Sequence, residues 1–129
     1  MSNEGTKKEV LERHMDRVGW LQPHNHTLAE VLPDVVDAKS QLYNELLGKA
    51  VHLDLKTKAL IHVALSAARF AQGTQQHVKN AMKHGATREE IVEAFSLTLV
   101  TFGGQACRWG IDALDAVEGN KRVVDDSRL

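Results

Sequence analysis

Apolar residues recur at helical intervals through most of the chain, and no stretch shows the two-residue alternation of a half-buried strand. Residues 4–18 set Val10, Leu11, Met15 and Val18 among equal numbers of basic and acidic side chains, which predicts an amphipathic arm. Gly19 to Thr27 holds Gly, Pro and Asn and reads as an irregular connection. Both prolines, Pro23 and Pro33, fall in the first third, so everything after Asp34 is free to be helical. A helix is expected over Asp34–Leu47, with Val35, Ala38, Leu42, Leu46 and Leu47 on one side and Gly48 as its stop. Asp54 can cap the next, which runs to about Phe70, where Gln72 and Gly73 break the pattern.

A third helix is predicted over Thr74–His84, closed by Gly85. Thr87-Arg88-Glu89-Glu90 has the form of a capping box, in which hydroxyl and carboxylate each satisfy a free backbone N–H. The helix it starts is expected to bury Ile91, Phe95, Leu99 and Phe102 before Gly103-Gly104, whose lack of side chains permits a bend or close helix packing. A last helix, Gln105–Glu118, turns Cys107, Ile111, Leu114 and Val117 inward and ends at Gly119, ahead of a short charged tail from Asn120. The pattern therefore predicts an all-α protein. At 129 residues it is read as one domain, 1–129, with residues 1–26 as an N-terminal arm.

Composition narrows the function classes. A net charge of -1, from 16 basic and 17 acidic residues, supplies no broad positive field for nucleic acid or an anionic membrane. The most apolar stretch, Ala59 to Ala68, is far shorter than the ~20 residues of a membrane span. Met1 to Val10 is polar and lacks the apolar core of a secretory signal. One cysteine, Cys107, can form neither an internal disulfide nor a dithiol, and a reducing cytoplasm is the expected setting. Pro23-His24-Asn25-His26 offers two imidazoles but no obvious third ligand, so no metal site is expected.

The helix from Ala59 to Phe70 is apolar around nearly its whole circumference, so its polar residues are expected to face protein. His62, Ser66 and Arg69, four and three residues apart, form one stripe on it. A buried polar stripe needs partners: a subunit interface, neighbouring helix ends, or a small pocket and its ligand. His77 falls in the first turn or so of the next helix, where free N–H groups and the helix dipole favour a neutral imidazole and a nearby anion. Trp109, next to Arg108, is core, interface or the wall of a pocket.

The run Leu53-Asp54-Leu55-Lys56-Thr57-Lys58-Ala59-Leu60-Ile61, the later His77, and Gly85-Ala86-Thr87-Arg88-Glu89-Glu90-Ile91 together resemble the carboxymuconolactone decarboxylase superfamily, which includes alkylhydroperoxidase D. The resemblance covers about residues 30–118, and the His followed by the Gly-Ala-Thr-Arg-Glu-Glu-Ile segment is its most specific part. It implies an all-α fold built on an antiparallel helical hairpin, in homotrimers or homohexamers with sites near subunit interfaces. In the peroxidase branch a Cys-x-x-Cys pair stands seven and four residues before the His. Here those positions are Phe70 and Gly73, and that branch's relay glutamate would fall on or beside Ala59. A cycle in which one thiolate attacks a peroxide and a second thiol resolves the product is therefore disfavoured.

The decarboxylase branch is similar in lacking the pair while retaining the His, and it needs no metal or organic cofactor. The resemblance implies a lyase or isomerase acting on a small anionic unsaturated ring or lactone. His77 would move the proton, His62 and Ser66 would orient the ring, and Arg69 or Arg108 would hold a carboxylate. The alternatives are an alkylhydroperoxidase-like activity and a non-catalytic binding or assembly subunit.

Overall fold

In a computed structural model the chain is described over residues 3–119; the expected charged tail from Asn120 lies outside the described residues. The described elements are α1 (Asn3–Val18), α2 (His24–Val31), α3 (Pro33–Leu47), α4 (Leu55–Ala68), α5 (Thr74–Lys83), α6 (Arg88–Ser96), a 3₁₀ turn over Leu97–Val100, and α7 (Gly104–Glu118). No strand occurs among the described residues, so the all-α class holds. The chain divides into two compact units, Met1–Leu55 and Lys56–Leu129.

In the first unit α1, α2 and α3 enclose a small core of Val10, Ala29 and Val36, with Leu11 and Leu28 packed against it. The stretch expected to be irregular is helical from His24. Pro23, with φ already at -55°, occupies the N-cap position and accepts the first N–H, from His26. The polar Asn25 is buried because its side-chain oxygen accepts from Lys39 Nζ at 2.5 Å.

Pro33 starts α3. Its inward side is not the expected stripe: Val36 and Ser40 are buried, while Val35, Leu42 and Leu46 are about half exposed. Polar contacts to α1 set that rotation. Arg17 donates to Asp37 Oδ1 at 2.8 Å and to Ser40 Oγ at 3.0 Å, and Arg13 Nε reaches the same carboxylate at 2.8 Å.

The second unit is organised around a core of Ala59, Val63 and Ala67 from α4, Val78 and Ala81 from α5, Ile91 and Phe95 from α6, and Leu114 from α7. α5 ends at Gly85, which takes a φ of +90°. The Gly85 N–H bonds to Met82 and the Ala86 N–H to Ala81, a left-handed stop that glycine adopts without steric cost. The capping box of α6 is complete: Thr87 Oγ1 accepts from Glu90 N at 3.1 Å, and Glu90 Oε1 accepts from Thr87 N at 2.9 Å. Glu90 also meets Lys56 Nζ at 2.9 Å. The Thr87 N–H, and after it Lys56, hold its carboxyl down at about 2.

Beyond Phe95 the sequence reading needs correction. Leu99 and Phe102 are exposed, because α6 stops at Ser96 and the 3₁₀ turn breaks the four-residue register. The carbonyl of buried Thr98 accepts from the N–H groups of both Phe102 and Gly103, folding the chain back and leaving Leu99, Val100 and Phe102 outward. In α7, Cys107 is only half-buried; Leu114 is buried and Ile111 and Val117 pack against the core as expected, and Ala106, Gly110 and Ala113 are buried as well.

Gly110 is the tightest of these. A Cβ there would lie 2.2 Å from the Phe95 ring, so α7 packs its bare backbone against that ring. Gly110→Ala is expected to destabilise the protein by about 2 kcal/mol or more. Thr87→Ala, which removes the cap, is expected to cost about 1 kcal/mol. Both are measured by chemical denaturation, and a Gly110→Ala midpoint equal to wild type would contradict this packing.

Candidate functional site

α4 and α5 are successive helices joined through residues 69–73. α4 closes with the Phe70 N–H bonded to the Ala67 carbonyl and the Ala71 N–H to the Ser66 carbonyl, the double bond of a Schellman stop. The residue at the left-handed position is Phe70, at a φ of +56°, where glycine is the usual occupant. A non-glycine residue there costs roughly 1–2 kcal/mol. The Trp109 ring meets Phe70 edge-on at 5.7 Å. Trp109 Nε1 donates to the Ala71 carbonyl at 3.0 Å and to Thr74 Oγ1 at 3.2 Å. α7 thereby pins the turn from which α5 starts.

That connection brings His62 of α4 against His77 of α5, with ring centroids 4.0 Å apart and planes tilted by 56°. The Nδ1 of His62 is buried without a hydrogen-bond partner. Burial, and then the charge of Arg69, lowers the pKa of His62. His77 is lowered to about 4 by burial, then by His62 and Arg69. Both imidazoles are therefore neutral at neutral pH, in a place already positive. An arriving anion would relieve that potential and favour the protonated ring.

Three of the expected residues, His62, Arg69 and His77, thus sit within one another's electrostatic reach. Arg69 itself is exposed at the end of α4, its guanidinium within reach of solvent. Ser66 is buried, and its hydroxyl donates to the Val63 carbonyl at 2.8 Å. That proton is committed within the helix, and only the oxygen's lone pairs remain to orient a ring. Arg108 is exposed on α7, 3.7 Å from Asp112 of the next turn. Cys107 is half-buried one position earlier. No group of three or more His, Cys, Asp or Glu among the described residues is placed to hold a metal ion.

Trp109 does wall a cavity. A space of about 220 Å³ is lined by Gln72, Thr74, Gln75, Trp109 and Asp112 together with Ala71 and Ala113. It shares the first turn of α5 with His77. The two glutamines carried no periodic or motif signal, and only the loop-forming character of Gln72-Gly73 marked their place.

The profile of the family described as "Carboxymuconolactone decarboxylase family" matches residues 33–116, about two thirds of the chain. The chain belongs to the carboxymuconolactone decarboxylase family. The matched stretch starts with α3 and runs into α7, taking in both histidines and the pinned turn. Among solved structures, a Burkholderia xenovorans LB400 protein assigned as a carboxymuconolactone decarboxylase is similar in fold. It shares 24% identity, with a TM-score of 0.67 over 94% of this chain and 100% of that one. No curated protein matches the chain.

Because the unfolded histidines titrate near 6.5 and the folded ones lower, the unfolded state binds more protons between those values. The stability that His77 contributes is whole above about pH 6.5 and is lost as pH falls toward about 4. By NMR the His77 ring is expected to titrate near pH 4, and Arg69→Ala is expected to raise both midpoints. An unchanged His77 midpoint in that variant would separate the arginine from the pair.

Proposed function

We propose that this member of the carboxymuconolactone decarboxylase family is a cofactor-independent carboxy-lyase for a small, anionic, unsaturated ring acid, carboxymuconolactone being the first substrate to try. The observation that carries the reading is the pair of neutral imidazoles 4.0 Å apart beside one guanidinium. Arg69 is the group at hand to hold the leaving carboxylate through two parallel N–H···O bonds, and Arg108, turned to solvent beside Asp112, has the weaker claim.

In this mechanism the substrate's negative charge raises the basicity of His77, which takes up a proton as the acid binds. The bond between ring carbon and carboxylate then breaks. CO2 departs, and the electron pair of the broken bond stays on the ring and is delocalised into the adjacent unsaturation. The His77 imidazolium delivers its proton to carbon and returns to the neutral state, so each turnover consumes one proton and releases one CO2. His62 acts through His77, setting the ring's orientation and lowering its resting pKa. Phe70 and Gly73 carry no thiol, and this proton chemistry requires none.

The working particle in this reading is a homotrimer or homohexamer in the cytoplasm. Exposed apolar side chains support the assembly, Leu42 and Leu46 on α3 and Leu99, Val100 and Phe102 after α6. No helix among the described residues is long and apolar enough to cross a membrane.

His77→Ala is expected to abolish CO2 release from carboxymuconolactone while the oligomer elutes unchanged; full activity in that variant would remove His77 from the mechanism. Calorimetry of substrate binding in buffers of different ionisation heat is expected to show proton uptake at neutral pH. Binding without uptake would mean that the anion does not meet the imidazole. A folded single-chain mass at micromolar concentration would overturn the assembly.

A further inference from the structure

α4 carries a second surface away from its histidine. An open groove of about 470 Å³ runs between α4 and α6, floored by Leu60, Ile61, Leu65 and Leu97 and edged by Glu89, Glu90 and Glu93. Its volume is in the range of small-molecule sites. Ile61, Leu65 and Leu97 are 46%, 57% and 65% exposed, a contiguous apolar floor open to water. Neither His62 nor His77 lines it.

The edge has an uncompensated charge. Glu90 is spoken for, held by the Thr87 cap and by Lys56. Glu89 and Glu93 stand one helical turn apart, where like charges repel. The nearest cation in sequence, Arg88, is turned to Glu118 at 2.9 Å. Glu93 makes no side-chain hydrogen bond or ion pair among the described residues; the Ser96 hydroxyl takes only its backbone carbonyl. An apolar floor with two carboxylates at one edge complements a ligand that is hydrocarbon at one end and cationic at the other. A fatty acid or the anionic ring acid proposed for the histidine site would meet those carboxylates with like charge.

We propose that this groove binds a small organic cation with an apolar body, an alkylammonium ion or its arylalkyl equivalent, with its hydrocarbon on the α4 floor and its ammonium between Glu89 and Glu93. The inference is independent of the decarboxylase reading, since no residue of the histidine cluster takes part.

The test is calorimetric titration of the full chain with three probes of equal length: hexylammonium, hexanol and hexanoate. Hexylammonium is expected to bind most tightly and hexanoate least. Glu93→Gln, an exposed and near-isosteric change, is expected to weaken hexylammonium about fivefold, the size of one partly exposed charge contact, while leaving hexanol unchanged. A second variant, Leu65→Asn, should lower binding of hexylammonium and hexanol alike, with circular dichroism confirming that both variants are folded. Equal affinity for the alcohol and the amine, or a Glu93→Gln variant that binds hexylammonium as wild type does, overturns the proposal. So does the absence of binding by all three probes, the outcome expected if a second copy of the chain covers the groove.

Discussion

The contact of His62 on α4 with His77 on α5 is the interaction on which the candidate site depends. Beside it lies the shared core, to which α4 gives Ala59, Val63 and Ala67 and α5 gives Val78 and Ala81, all essentially buried. Larger side chains at those positions would crowd that core and displace the helices that carry the two rings. The turn between the helices adds a local cost, Phe70 in a left-handed conformation, and contacts from outside the turn offset it. Trp109 provides them, with its ring edge against Phe70 and its N–H on the Ala71 carbonyl. The turn is therefore held from α7, and α7 can come near because Gly110 gives its backbone to Phe95. A site of two imidazoles rests on alanines and a glycine that have no chemistry of their own.

The electrostatics follow from that packing. Two histidines in contact, partly stripped of water and near an arginine, both shift toward the neutral form, by burial first and then by neighbouring positive charge. A neutral pair at the edge of a positive region is a resting state that an anion changes. In the proposed reaction the anion would draw a proton in as it binds, coupling binding to protonation. An acidic partner in place of Arg69 would instead hold the rings protonated and leave nothing for substrate to trigger. The exposed end of α4 suits the arginine for this role, because it reaches the histidines electrostatically while its guanidinium stays open to solvent.

Where the chain's structure is set by neighbours in sequence, it was legible. Gly85, the Thr87–Glu90 box and Gly119 each act within a turn, and the helix ends fall where they stand. Where structure is set across helices, sequence misled. The apolar stripe of α3 pointed to one rotation, and the Arg17–Asp37–Ser40 contacts chose another. Leu99 and Phe102 continued a four-residue pattern that the carbonyl of Thr98 interrupts. The polar reading of His24–Thr27 missed a helix because a buried Asn25 with a lysine partner looks like loop in one dimension. The candidate site divides in the same way. The His62–Ser66–Arg69 stripe follows from spacing, but its meeting with His77 needs the turn between α4 and α5. The exposure of Arg108 follows from the register of α7, in which the adjacent Trp109 faces the pinned turn and the arginine faces solvent beside Asp112.

The occupants of the turn also bear on which chemistry the fold can support. Positions 70 and 73 are where a relative with a dithiol would place its sulfurs, and a thiol at position 70 would sit at a left-handed helix stop. In this chain position 70 carries an aromatic ring that Trp109 needs as a packing partner, and position 73 a glycine whose carbonyl accepts from both Gln76 and His77 at the start of α5. Position 73 thus holds the start of α5 through its backbone alone, and position 70 steadies the turn through its ring. A cysteine at position 70 would remove the edge contact that steadies the turn, whereas one at position 73, where φ is -81°, would leave the carbonyl bonds to α5 in place. The side chain that the turn depends on is therefore the Phe70 ring.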